Sequence, residues 1–415
     1  MKKIIINYIG VNFDKTPDKI SNSISKITSD INKLPALNIL KNNKLLNFTL
    51  EITEKFMIGK DNFMVFGTGG SNLGAKALVN ILQGEEKNKI TFYDNIDPIG
   101  FENSIKKQNL DNIGLIFISK SGSTPETLSQ LATLIEIFEQ SNSLDLFYSN
   151  ILIITEDKNT PLNKFAKDNK CLYLEHEENI GGRYSIFSNV GIVPAIIAGI
   201  DVKNFYAGGL LVTKFLEDSL NTNEFSESTW LFKLAHYFKY INISNKITNS
   251  IIMTYSDALF NFGKWYLQLW AESIGKENKG ITAIHAVGTT DQHSQLQLYL
   301  DGPKDKFFTF ITTDHSHQGL KLHSKTMQKY NINYLVDKTM GDLMFAEQRA
   351  TIDTFKNNNF MFREIKLPKI NEFFLGQLMA FSIIETVATC NYLNINPFNQ
   401  PAVEQGKILT REYLS

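Results

Sequence analysis

The chain has 415 residues, 43% hydrophobic and 20% charged, and its 42 basic side chains stand against 43 acidic ones for a net charge of −1. That length exceeds what one hydrophobic core usually organises, so two domains are expected, and the apolar content excludes a disordered polypeptide. A charge balance so close to neutral excludes a global electrostatic pull on nucleic acid and leaves only a local patch as a basis for it.

The stretch up to Lys44 is rich in lysine and lacks glutamate, which reads as a basic arm or a solvated face. Its start, MKKIIINYIG, superficially resembles a secretory signal. The apolar run breaks at Asn7 and Asn12, however, and no small-residue cleavage site follows. The run GIVPAIIAGI at 191–200 is too short to span a bilayer and contains Pro194, so no membrane segment is expected. Cys171 and Cys390 are too few for a disulfide framework or a cysteine-rich zinc site, and such scarcity suits a reducing, cytoplasmic setting.

Apolar runs rich in β-branched residues predict buried strands at 63–66, 90–94, 113–119, 151–155 and 171–175, with helical spacing between them, as in 124–140. The pattern repeats at 250–256, 282–288, 307–313 and 360–367. Strands alternating with helices predict α/β architecture: two units, each a mostly parallel sheet with helices on both faces. The expected division is a leader at 1–45, a first unit at 46–185, a helical linker at 186–240, a second unit at 241–395 and a C-terminal helix at 396–415.

Two strand-to-helix junctions look built for an anion. In MVFGTGGSNLGAKAL, a strand runs into Gly67, Gly69, Gly70 and Ser71, with a helix from about Asn72. Glycines let the backbone approach an anion, and a helix N-terminus offers free N–H groups. A dinucleotide fingerprint fails at Asn72, a P-loop fails at Ala75, and a nucleophile elbow around Ser71 fails at Leu73. A plain tight turn stays open for this loop alone. In FISKSGSTPETLSQ, Ser119, Lys120, Ser121, Ser123 and Thr124 crowd the start of a helix whose first turn holds Pro125 and Glu126. Hydroxyls gathered there can reach the oxygens of a phosphate monoester, while a serine-rich N-cap is the plainer alternative.

Acid–base candidates follow. In NFGKWYLQLWAESIGKENKG, Gln268 and Glu272 share a helix face with Trp265 and Leu269. An apolar neighbourhood would raise the carboxyl toward the range of a general base, whereas pairing with Lys276 would make it a surface glutamate. GTTDQHSQ sets Asp291, Gln292 and His293 after a strand, GGRYSIFSNVG sets Arg183 behind two glycines, and NPFNQPAVEQGKILTREYL sets Gln400, Glu404 and Lys407 around a terminal helix. Each alone has a structural reading: a cap, an ion pair or a solvated helix. His315, His317 and His323 admit a zinc or iron reading, but Asp314 is the sole carboxylate at ligand spacing, and no metal is expected.

Taken in order, GTGGSNLG, SKSGSTPET, GGRYSIFSNVG, QLWAESIGK, GTTDQHSQ with DGP at Asp301, and NQPAVEQGK resemble the glucose-6-phosphate isomerase family from about Met64 to Lys407. The resemblance implies two sugar-isomerase domains, a homodimer that needs no cofactor, and a small sugar phosphate as substrate. Ser119, Lys120, Ser121 and Thr124, with Gly70 and Ser71 nearby, would hold the phosphate and first hydroxyls. Glu272 would move the proton between C2 and C1, and Arg183 would stabilise the enediolate. His293, placed in the partner's site, would open the ring with help from Lys407, while Gln268 and Gln400 would orient the open chain. Some members carry threonine and an aromatic residue where this chain has Ser121 and Gly122. A dual glucose/mannose-6-phosphate isomerase and a non-catalytic sugar-phosphate sensor are the alternatives on the same domains.

Overall fold

A computed structural model describes residues 3–11, 29–82, 89–222, 238 and 247–415. The chain begins with β1 (Ile5–Ile9) and α1 (Asn43–Met57), then enters a first sheet. Its strands are β2 (Asn62–Phe66), β3 (Lys89–Tyr93), β4 (Ile113–Ile118), β5 (Ile151–Thr155) and β6 (Leu172–Glu175). They are all parallel, in the order β3-β2-β4-β5-β6. Two helices matter most here, α2 (Leu73–Ile81) after β2 and α3 (Pro125–Gln140) after β4.

Successive strand residues point to opposite faces, and both faces are covered, which is why β2, β4 and β5 read as unbroken apolar runs. Met64, Phe66, Leu115 and Phe117 pack with Leu131, Leu134 and Phe138 of α3. Val65, Ile116 and Ile154 pack with Phe56 of α1 and with Val190, Val193 and Ile197 of α4 (Asn189–Ile197). The order reverses direction between β2 and β4, and in such sheets the crevice at that switch point, beyond the carboxyl ends of the strands, receives ligands. Both anion loops leave from there, because Phe66 pairs in register with Phe117.

The second sheet contains β7 (Asn249–Thr254), β8 (Thr282–Val287), β9 (Lys306–Thr313) and β10 (Phe362–Leu367) in the order β1-β10-β9-β7-β8. All nine strands expected from the apolar runs are present. The tenth, β1, lies in the segment expected to be a leader. It pairs antiparallel with the edge of the second sheet, Asn7 opposite Glu364, so residues 5–9 belong to the second sheet rather than ahead of the first. Residues 1–2 and 12–28 of that leader lie outside the described residues.

The stretch expected as a helical linker does more than connect. Its α4 covers the first sheet, while α5 (Val202–Thr222) packs along α9 (Glu372–Tyr392). Residues 223–237 and 239–240 of that linker lie outside the described residues. Between α5 and α9 in chain order come α6 (Phe260–Ile274), which joins β7 to β8, α7 (Thr290–Ser294) after β8, and α8 (Met340–Asn357) ahead of β10. The 21 residues of α9 are long and apolar enough to cross a membrane, yet 94% of its most apolar window is buried, making it the central core helix. The chain ends in α10 (Glu404–Leu414), nearly all of it exposed, including Ile408, Tyr413 and Leu414. Helix α6 joins the two halves: its Trp265 packs against the turn of α2 at Gly74, where a Cβ would lie only 3.2 Å from Ile186 and 3.5 Å from Trp265.

Candidate active site

At the end of β2 the chain makes a short 3-10 turn over Gly69–Ser71 before α2. Gly69 has φ of +55°, which only glycine adopts freely, and a Cβ there would lie 2.9 Å from Nε2 of Gln268. A Cβ on Gly70 would lie 2.2 Å from the carbonyl carbon of Gly182, a backbone contact that cannot give way. Ser185 Oγ fastens the same contact, donating to the carbonyls of Gly182 at 2.7 Å and Gly70 at 3.2 Å. The first glycine loop is therefore locked to the segment that carries Arg183.

The second loop begins with Ser119, 1% exposed, whose hydroxyl is 2.7 Å from that of Thr124. Thr124 is the N-cap position of α3 and makes no side-chain cap bond, so both hydroxyls face the loop rather than the helix end. Pro125 at the first turn leaves the remaining N–H groups free and preset for an anion. Ser121 is exposed and accepts from Ser123. Gly122 has φ of +61°, and a Cβ on it would strike Thr160 Oγ1 at 2.1 Å. Any side chain at that position would need a different loop geometry from the one here. Lys120 turns its ammonium to the carbonyl of Glu178 at 2.7 Å.

Arg183 is 4% exposed, and five acceptors surround its guanidinium. Nε donates to Ser273 Oγ at 3.0 Å, and Nη1 donates to Glu272 Oε2 at 2.9 Å and Gln400 Oε1 at 3.3 Å. Nη2 donates to the carbonyls of Pro397 at 2.5 Å and Asn399 at 3.2 Å. Gln268 Nε2 holds the other carboxylate oxygen of Glu272 at 2.8 Å, one turn back along α6. Gln268 Oε1 is buried and has no partner among the described residues, which leaves it open to a hydroxyl donor. Thus Glu272, Gln268, Arg183 and Gln400 converge.

The neighbourhood of Glu272 is not the apolar one expected from its helix face. A cation and an amide clasp its carboxylate, because the segment opposite α6 comes from residue 183 of the other half, which spacing along one helix cannot show. Lys276 does not pair with it. Its ammonium donates to the Ser273 carbonyl, at 2.9 Å, and to that of Asn396.

Two expected residues lie elsewhere. His293 on α7 is exposed and makes no hydrogen bond to a described residue. Lys407 on α10 is exposed and pairs with Glu404 at 2.7 Å. Neither touches Glu272 within one chain. Of the three histidines read as metal ligands, His315 bonds the Tyr255 carbonyl at 2.7 Å, His317 faces Asp342 at 3.4 Å, and His323 bonds Thr326 at 2.6 Å.

Sequence reasoning missed Ser273 and Tyr184. Ser273 is fully buried, and its hydroxyl also bonds that of Tyr184 at 2.8 Å. Burial pushes the Tyr184 phenol up to about 12, so it remains a donor. Adjacency to Glu272 and Arg183 was the sole signal for either residue. A separate groove of about 670 Å³, lined by Ile96, Phe101, Ile105 and Ile137, holds none of these groups.

The family model for phosphoglucose isomerase matches residues 53–415. A probable glucose-6-phosphate isomerase of Methanococcus maripaludis is 34% identical over 86% of this chain and 79% of its own. The glucose-6-phosphate isomerase of Methanocaldococcus jannaschii is 33% identical over 85% and 84%. Among solved structures, a hypothetical protein from Thermus thermophilus superposes with a TM-score of 0.86 at 25% identity, over 99% of this chain and all of its own.

Proposed function

Because the chain belongs to the phosphoglucose isomerase family, we infer that it interconverts glucose 6-phosphate and fructose 6-phosphate by ring opening and transfer of one proton through a cis-enediolate. The observation that carries the reading is the convergence of one carboxylate, Glu272, with a buried guanidinium, beside a helix start lined with hydroxyls. An anchored anion, a base and a fixed cation are what such a proton transfer requires.

The phosphate sits on the hydroxyls of Ser119, Ser121 and Thr124 and the N–H groups at the start of α3, with Gly70 and Ser71 across the switch-point crevice. Glu272 removes the proton from C2 of the open aldehyde. The C2–H electron pair forms the C1–C2 double bond, and negative charge passes to O1. Arg183 faces that charge. Its Nη1 is bonded to Glu272 before substrate arrives, so substrate enters by dividing this pair. The same carboxyl then gives its proton to C1 while the proton of the C2 hydroxyl passes to O1, which leaves the ketose. Gln268 and Gln400 hold the chain's hydroxyls.

Ring opening needs a further acid–base group, and no histidine among the described residues bonds or pairs with Glu272 within one chain. His293, assisted by Lys407, fills that role from the second subunit of a homodimer. The exposed apolar side chains of α10 support this arrangement, since an isolated helix of 11 residues is marginal in water without a surface to pack on. A cytoplasmic, glycolytic setting completes the reading. The deciding assay starts from fructose 6-phosphate and reads glucose 6-phosphate through a coupled dehydrogenase. Purified protein should turn over without added cofactor, and absence of product would reject the function.

A further inference from the structure

Lys120 stands in the middle of the phosphate loop, where a lysine reads as the cation of an anion site. Its ammonium is engaged elsewhere. Nζ donates to the Glu178 carbonyl at 2.7 Å and lies 3.5 Å from Glu156 Oε1. Glu156 is 7% exposed, and the Lys158 ammonium contacts it at 2.7 Å and Glu178 Oε1 at 2.9 Å. The main chain repeats the tie, since the Glu156 N–H donates to the Lys120 carbonyl at 3.3 Å.

Lys120, Glu156 and Glu178 follow β4, β5 and β6, three neighbouring parallel strands. One ammonium therefore fastens three loops at the ligand end of the sheet. The third loop runs on through Asn179, Ile180, Gly181 and Gly182 directly into Arg183. Gly182 in turn is pressed against Gly70 of the first loop. Any shift of the Glu178 carbonyl thus moves the backbone from which Arg183 reaches Glu272.

We propose that Lys120 is a positioning residue for Arg183, a latch between the phosphate loop and the Gly181–Gly182–Arg183 turn, and that the phosphate is held by hydroxyls and N–H groups without its ammonium. The inference rests on the isomerase reading above. The two roles for Lys120 differ in which kinetic constant they govern. A phosphate ligand acts on ground state and transition state alike and sets KM, whereas alignment of Arg183 matters where negative charge develops and sets kcat. Removing Lys120 strands no buried charge, because Lys158 stays on Glu156, so the variant should fold.

The experiment compares full-length wild type, Lys120→Met, Glu156→Gln and the double variant in steady-state turnover of fructose 6-phosphate, with inorganic phosphate as competitive inhibitor. Both single variants should lose about tenfold in kcat, with KM and the phosphate inhibition constant within about threefold of wild type. The double variant should be no worse than Lys120→Met alone, because loss of the ammonium already removes its tie to Glu156. A Lys120→Met enzyme that keeps kcat while KM and the phosphate inhibition constant rise tenfold would overturn the latch and make the ammonium a phosphate ligand. Wild-type kinetics in Lys120→Met or Glu156→Gln would overturn it as well. An inactive wild type would instead remove the isomerase reading, and the latch with it.

Discussion

Arg183 Nη1 lies 2.9 Å from Glu272 Oε2, an ion pair that spans the two halves of the chain, its members 89 positions apart in sequence. The guanidinium is buried and saturated, whereas the Glu272 side chain keeps 30% of its exposure, so the carboxylate is the partner free to move. The planar fork of arginine lets one side chain hold Ser273, Pro397 and Glu272 together, which a lysine ammonium cannot do. Arg183→Lys should therefore lower kcat by about 10²-fold with the fold retained, checked by turnover alongside circular dichroism. Turnover within threefold of wild type would show that the enediolate is stabilised elsewhere.

The hydroxyl pair of Ser119 and Thr124 should act on binding. Alanine at both positions removes the two hydroxyls proposed to hold the phosphate and should raise KM for the sugar phosphate roughly ten- to a hundredfold, with kcat changed only a few-fold. Isothermal titration with inorganic phosphate gives an independent reading, and unchanged affinity would move the phosphate away from this loop.

Glu177 supplies a pH dependence outside the reaction. Both of its carboxylate oxygens are buried, and desolvation, only partly offset by the Ser188 hydroxyl and nearby backbone N–H groups, pushes the carboxyl from 4.5 up to about 7. The folded protein thus keeps a proton that the unfolded chain releases above pH 4.5, and stability falls as pH rises through that window to 7. Relative to Glu177→Gln, wild-type Tm should drop by a few degrees between pH 5 and pH 8. Parallel curves for the two proteins would contradict the burial argument. The pH slope is the relevant quantity, since the amide shifts the absolute Tm on its own.

Shared sites predict rescue by mixing. Glu272→Gln and His293→Ala homodimers should each be nearly inactive on the ring form. After subunit exchange, one site of a mixed dimer carries both lesions and the other carries neither. About half the dimers are mixed, so about a quarter of wild-type activity should return above the background of His293→Ala alone. With exchange verified by mass spectrometry, no recovery would place His293 outside the partner's site.

The sheets were legible because parallel strands buried on both faces, such as β4 and β5, are unbroken β-branched runs. Strand β1 was not, because its burial is irregular, and its partner β10 lies far along the chain. Helix α9 gave no amphipathic stripe to read, being buried on nearly every side, polar Gln377 and Glu385 included. In the site, the anion loops carried local signals, glycine before a helix and hydroxyls at its first turn. The Arg183–Glu272 pair did not, since periodicity identifies the face of α6 but not what the other half of the chain sets against it. Ser273 and Lys120 show the same limit: a residue type is visible in sequence, but which atom its polar group holds is decided by contacts across loops.

The most direct test of the account is isomerisation of fructose 6-phosphate in deuterium oxide, followed by proton NMR of the glucose 6-phosphate formed. A carboxylate that takes a proton from one carbon and returns it to the other can exchange it with solvent between the two events. Wild-type product should carry deuterium at C2. Glu272→Gln should slow conversion by about 10²- to 10⁴-fold while still binding a sugar-phosphate inhibitor. Near-normal turnover by Glu272→Gln, with deuterium still entering C2, would contradict proton transfer by Glu272.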